Sequence, residues 1–117
     1  MTRQATVILA VLLTWAVAVT AQGLGTYEQI TVSTTAVGLA TSTTNPTGRS
    51  QMNTCYVRLE AGSVRWRDDG TDPTATVGYP FVTGGDELTI TSAVYARRIR
   101  FIRSATADGT LSVRCYP

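Results

Sequence analysis

Three groups of side chains have the types and spacing to do chemistry. Asp68, Asp69 and Asp72 crowd one turn, DDGTD, and offer the hard oxygen ligands that calcium favours. Their spacing lacks the alternating acids and distal glutamate of a helical calcium loop, so the stronger expectation is a turn whose aspartates accept from backbone N–H groups or pair with Arg65 and Arg67. Cys55 and Cys115 are the only thiols, and each falls on the apolar side of an alternating segment. In an exported chain they would form a disulfide closing a loop of about 60 residues, stabilising by roughly 4 kcal/mol. In a reducing compartment they would be two small buried hydrophobes. Arg97, Arg98, Arg100 and Arg103 surround Ile99, Phe101 and Ile102. That cluster would serve either as a patch for an acidic partner or as charge that protects a sheet edge from unwanted pairing.

Other chemistry is lacking. The ten basic residues are all arginine, eight carboxylates nearly balance them, and there is no histidine, so the commonest general base and the commonest metal ligand are missing together. Two thiols without histidine are too few ligands for a metal site, and no cofactor is expected. No Ser/His/Asp, Cys/His or phosphate-loop pattern occurs, so an enzyme is not expected. A hydrolase using Glu60 and Asp68 would need two acids at a set separation, which spacing alone does not supply. The near-neutral balance also argues against a nucleic-acid partner. Trp66, Tyr56, Tyr79, Phe81, Tyr95 and Tyr116 could include a sugar-stacking platform, although aromatics in strands more often fill cores or pair across strands.

Residues 1–22 form a separate block in which Arg3 is the only charge and the run from Ala5 to Ala21 is uncharged and mostly apolar. It reads as a secretory signal cut between Ala21 and Gln22, since Val19, Thr20 and Ala21 are short side chains before the cut. An uncleaved hydrophobic anchor helix is the alternative, because the run reaches the lower limit of the roughly 17 to 25 residues that span a bilayer. A membrane partner enters only through residues 5–21, if they are retained.

The remaining 23–117 read as one domain of strands. Ile30 and Val32 share a face; so do Cys55, Val57 and Leu59; Val64 and Trp66, with Arg65 and Arg67 opposite; Leu88 and Ile90; Ile99 and Phe101, against Arg98 and Arg100; and Leu111, Val113 and Cys115. No run from Tyr27 onward has helical spacing, and Thr34 to Ser50 is expected to hold a weak strand at Val37 to Thr41 followed by a loop. Turn signals at Asn45-Pro46-Thr47-Gly48, Ala61-Gly62, Asp68-Asp69-Gly70, Gly84-Gly85-Asp86 and Asp108-Gly109 separate the strands. The expected fold is all-β, an antiparallel β-sandwich of seven or eight strands, jelly-roll or immunoglobulin-like, preceded by the N-terminal hydrophobic helix.

The segments YEQITVSTTAVGL, CYVRLEAGSVRWRDDGTDPTATVGYP, GDELTI, RIRFIRSA and LSVRCYP, from Tyr27 to Tyr116, resemble a group of small virion-associated proteins of tailed bacteriophages and prophages. RWRDDGT is the most specific part. The resemblance implies a compact β-sandwich that serves as a head-decoration, head-fibre or tail-associated component, with capsid or tail proteins as partners and no catalytic residues. Two features depart from it: virion proteins usually assemble in the cytoplasm, whereas a secretory signal and a cysteine pair fit an oxidising location.

Two functions are therefore expected. One is a non-enzymatic virion structural module that binds a capsid or tail lattice and self-associates as a small homo-oligomer, with Arg65, Arg67, Asp68, Asp69, Arg98, Arg100 and Arg103 as its candidate surface. The other is a secreted, periplasmic or membrane-anchored β-sandwich that recognises a glycan or a cell-surface partner.

Overall fold

The computed structural model describes residues 24–117. Residues 1–22, expected to be a secretory signal or an anchor, lie outside them. Seven strands follow in chain order: β1 Thr26–Val32, β2 Thr54–Ala61, β3 Val64–Arg67, β4 Tyr79–Phe81, β5 Glu87–Ile90, β6 Arg100–Arg103 and β7 Gly109–Tyr116. They build a four-stranded sheet in the order β1-β7-β2-β5 and a three-stranded sheet in the order β4-β3-β6, with antiparallel pairing throughout. The body is all-β with little helix, as the alternating apolar positions require.

Parity along each strand decides what is dry. Cys55, Val57 and Leu59 of β2 face inward opposite Cys115, Val113 and Leu111 of β7, and Ile30 and Val32 of β1 extend that layer. From the second sheet, Val64, Phe81 and Phe101 join the same core, with Trp66 packed partly against it. Met52, which precedes β2, is fully buried and fills the core from the side. Apolar faces of two sheets thus close on one another, which is how a sheet with one wet side removes its other side from water.

The chain crosses between sheets at the β2–β3 connection. β2 carries a bulge at Glu60, where Leu59 pairs with Leu111 and Ala61 with Thr110. Bulges sharpen local twist and bend a strand. Gly62 then completes the turn at φ 77°, and a Cβ there would stand 2.8 Å from the Asp108 carbonyl oxygen and from the Gly109 Cα. Only glycine suits both the left-handed backbone and that close approach.

Two short helices correct the expectation of an unbroken β pattern. Val37 contributes only a bridge to β6, exchanging backbone hydrogen bonds of 2.9 and 2.8 Å with Phe101, and the expected strand does not continue. The chain instead makes one helical turn, α1 Thr41–Thr44, with the Thr43 and Thr44 amides donating to the Ala40 carbonyl. The second helix, α2 Ala93–Arg98, begins where the Ser92 hydroxyl accepts from the Val94 amide at 3.3 Å. Six residues that bury only Ala96 leave no 3.6-residue apolar stripe to read. Arg98 therefore ends a helix, and the strand starts at Arg100.

Candidate functional site

The RWRDDGT strand and the loop after it hold themselves together. On β3, Arg65 and Arg67 lie on the face opposite Val64, and Arg67 stands directly across from Arg100 of β6. The Arg65 guanidinium donates to the Ala75 carbonyl at 3.2 Å and to the Gly78 carbonyl at 2.8 Å, so it clips the loop back onto its own strand. Thr74 closes the loop tip, its hydroxyl accepting from the Val77 amide at 3.0 Å. Arg67 donates to both carboxylate oxygens of Asp69, at 3.1 and 2.5 Å, and the Thr71 amide adds a third bond. The Arg67 hydrogen bond holds the Asp69 carboxyl below the usual aspartate range.

The second arginine cluster divides in the same manner. Arg100 donates to the Arg97 and Ile99 carbonyls at 3.0 and 2.8 Å. Arg103 pairs with Asp108 at 2.6 Å, which lowers the Asp108 carboxyl, and Ser33 lowers it further. Arg98 is exposed at the end of α2. Arg97 and Arg100 also line a hollow of about 320 Å³ with Gly38, Leu39, Thr41, Thr44 and Asn45. β6 is an edge strand of its sheet, the place where charge guards against stray pairing. Asp68 and Asp69 are exposed or half-buried in the loop, and among the described residues no three His, Cys, Asp or Glu side chains are grouped to hold a metal ion.

Cys55 and Cys115 are directly opposed on the two inner strands of the four-stranded sheet and are joined by a disulfide with Cα atoms 4.1 Å apart. Trp66 is half-buried; Tyr79 stacks on it at 4.8 Å between ring centroids, and Phe81 meets it edge-on at 6.3 Å.

The larger concavity lies elsewhere, on the outer face of the four-stranded sheet. It encloses about 650 Å³, in the range of small-molecule sites, and is lined by Tyr27, Tyr56, Arg58, Glu60, Glu87, Ser112, Arg114 and Tyr116. Register explains the grouping. Tyr27 of β1, Arg114 of β7 and Tyr56 of β2 form one row across three strands, and Gln29, Ser112, Arg58 and Glu87 form the next across four. Tyr56 and Tyr116 meet edge to face at 6.0 Å, and the Arg114 guanidinium lies 5.3 Å from the Tyr116 ring centre and donates to its hydroxyl. At the opposite end the Ser112 hydroxyl donates to Glu60 at 2.9 Å. The groove is aromatic at one end and polar at the other.

Of its lining, Tyr56, Tyr116 and Glu60 stand out in the sequence; Tyr27, Arg58, Glu87, Ser112 and Arg114 do not. Their signal was parity: they occupy the positions between the apolar residues of strands that are plain in the sequence. Missing was the strand order that sets β1, β7, β2 and β5 side by side. Comparison with protein-family models, with curated proteins and with solved structures finds no match for this chain.

Proposed function

We propose that the chain is a non-enzymatic structural module of a tailed-phage virion, a β-sandwich of jelly-roll or immunoglobulin-like kind that sits on a capsid or tail lattice and self-associates as a small homo-oligomer. One observation carries it. RWRDDGT, on which the phage resemblance is most specific, runs on into PTATVGYP, and RIRFIR, later in the chain, pairs with it to complete the three-stranded sheet and its loop. A pattern that converges on one continuous surface is what a lattice-docking module would keep. Several arginines and carboxylates there are held by hydrogen bonds and ion pairs, and side chains positioned in advance lower the ordering cost of docking. Self-association has a route in β1, a seven-residue strand at the edge of the four-stranded sheet. Mass spectrometry of purified particles tests this: the protein should be recovered in stoichiometric amount, and its absence from particles refutes the proposal.

A second reading is favoured by the Cys55–Cys115 disulfide. Disulfides form and persist in oxidising compartments, which supports an exported binding domain, released after cleavage at Ala21 or held by residues 5–21. Intact mass of the product made in its own host tests it. Cleavage and loss of the two thiol hydrogens support export; a uniformly cytosolic, uncleaved and fully reduced product rules it out.

A further inference from the structure

We propose that the outer face of the four-stranded sheet is a binding site for an uncharged pyranose oligosaccharide. A solvated sheet face is ordinarily covered by small or charged side chains, yet here three tyrosines are gathered on one, with Tyr27 61% and Tyr56 39% exposed. Tyr27 and Tyr56 stand on either side of Arg114 in one cross-strand row, two strand spacings or about 10 Å apart. Their rings border a floor wide enough for a sugar ring to lie on, with its C–H face against an aromatic face.

The polar end has the complementary chemistry. Arg58 is directly opposite Glu87, but among the described residues the only ion pairs are Arg67–Asp69 and Arg103–Asp108, so the Arg58 donors and the Glu87 acceptors point into the groove without closing on each other. Glu60 uses one carboxylate oxygen on Ser112 and keeps the other. Donors beside acceptors match vicinal hydroxyls, which both give and take hydrogen bonds. The two arginines and two glutamates of the lining sum to zero, and Arg58 has Glu87 directly across from it, so the groove matches a neutral saccharide better than a uronate. The site requires only that this face be exposed, and it stands apart from whether the chain is a virion component.

The test uses the full chain, expressed with export so that the disulfide forms, on immobilised maltohexaose, cellohexaose, mannohexaose and chitohexaose, with hexagalacturonate alongside. Any binder is then titrated by calorimetry. At least one neutral oligosaccharide should bind. Tyr27→Ala and Tyr56→Ala should each weaken it about tenfold, as expected for loss of one stacking face. Arg58→Ala should weaken it as well. Tyr79→Ala, on the other sheet and 64% exposed, should leave it unchanged. Circular dichroism and melting of each variant separate folding from binding, and sedimentation reports self-association. No binding at millimolar sugar, preference for hexagalacturonate, or equal weakening by Tyr79→Ala overturns the proposal. So does loss of self-association in Tyr27→Ala, which would make this face a contact between copies.

Discussion

Breaking the Cys55–Cys115 crosslink should remove a large share of the stability of this body. The cysteines are 60 residues apart in sequence, and in the chain-entropy model a loop of that length restricts the unfolded chain by about 4 kcal/mol. A folded body of this size has a total stability of about 5 to 14 kcal/mol, so the loss is more than a quarter of it. At a urea dependence of about 1.5 kcal/mol per molar, the unfolding midpoint should fall by about 2.7 M on reduction. Reduced wild type keeps both sulfurs in the core, so its shift reports the crosslink alone; a Cys55→Ala/Cys115→Ala variant adds the loss of two buried sulfurs and should fall further. Both cysteines are fully buried on inner strands, so reductant should reach them only when β2 and β7 part, and the native reduction rate should follow the unfolding rate. Urea melts by circular dichroism, with and without reductant, and thiol titration of the denatured protein supply the readings. Two titratable thiols before reduction, or a midpoint shift under about 0.3 M, corresponding to less than about 0.5 kcal/mol, would refute the reasoning.

Gly62→Ala should destabilise by about 2 kcal/mol, because a Cβ there meets the Asp108–Gly109 backbone at 2.8 Å on a left-handed residue; a denaturation midpoint equal to wild type would mean the crossover turn has another conformation. Arg65→Ala should cost about 1 to 2 kcal/mol and speed amide exchange at Val77, and Arg65→Lys should not restore it, since one ammonium cannot reach both the Ala75 and Gly78 carbonyls in the guanidinium geometry. Asp69 and Asp108 have folded-state values below the ordinary one, so they contribute stability above the unfolded value of about 3.9 and lose it as pH falls through their folded values. Urea midpoints should therefore drop below about pH 4, and an Asp69→Asn/Asp108→Asn variant should show a flatter acid limb; an unchanged limb would contradict the pairing.

What the sequence disclosed was parity, and what it withheld was order. Val57, Leu59, Leu111 and Val113 are buried where alternation places them, because one residue of slip would turn the whole apolar set to water. The same parity put both cysteines inward, where register could oppose them. β4 was harder to read, at three residues with Pro80 in the middle; proline lacks the donor a central strand needs, and β4 lies at a sheet edge. α2 was missed because Arg98, Ile99, Arg100 and Phe101 alternate across its boundary, and the only local helix signal was Ser92 ahead of a short alanine-rich segment. The groove was least legible of all, since its rows join residues more than eighty positions apart, such as Tyr27 and Arg114.

The two outer faces differ in how their polar groups are engaged. On the three-stranded sheet, Arg65 donates to loop carbonyls and Arg100 to carbonyls at the end of α2, while Arg67 closes on Asp69 and Arg103 on Asp108. Much of that sequence pattern can therefore serve local structure, because removing any one arginine takes a donor away from carbonyls or a carboxylate. On the four-stranded sheet, Arg58 and Glu87 face each other without closing an ion pair, and Tyr27 is mostly exposed. Neither arrangement is demanded by the core, which is complete beneath them. A motif that stands out in the sequence need not mark the surface with most chemistry to spare. Here Arg65 and Arg67 of the RWRDDGT segment are engaged within their own loop, and the opposite face keeps donors, acceptors and aromatic rings available to another molecule.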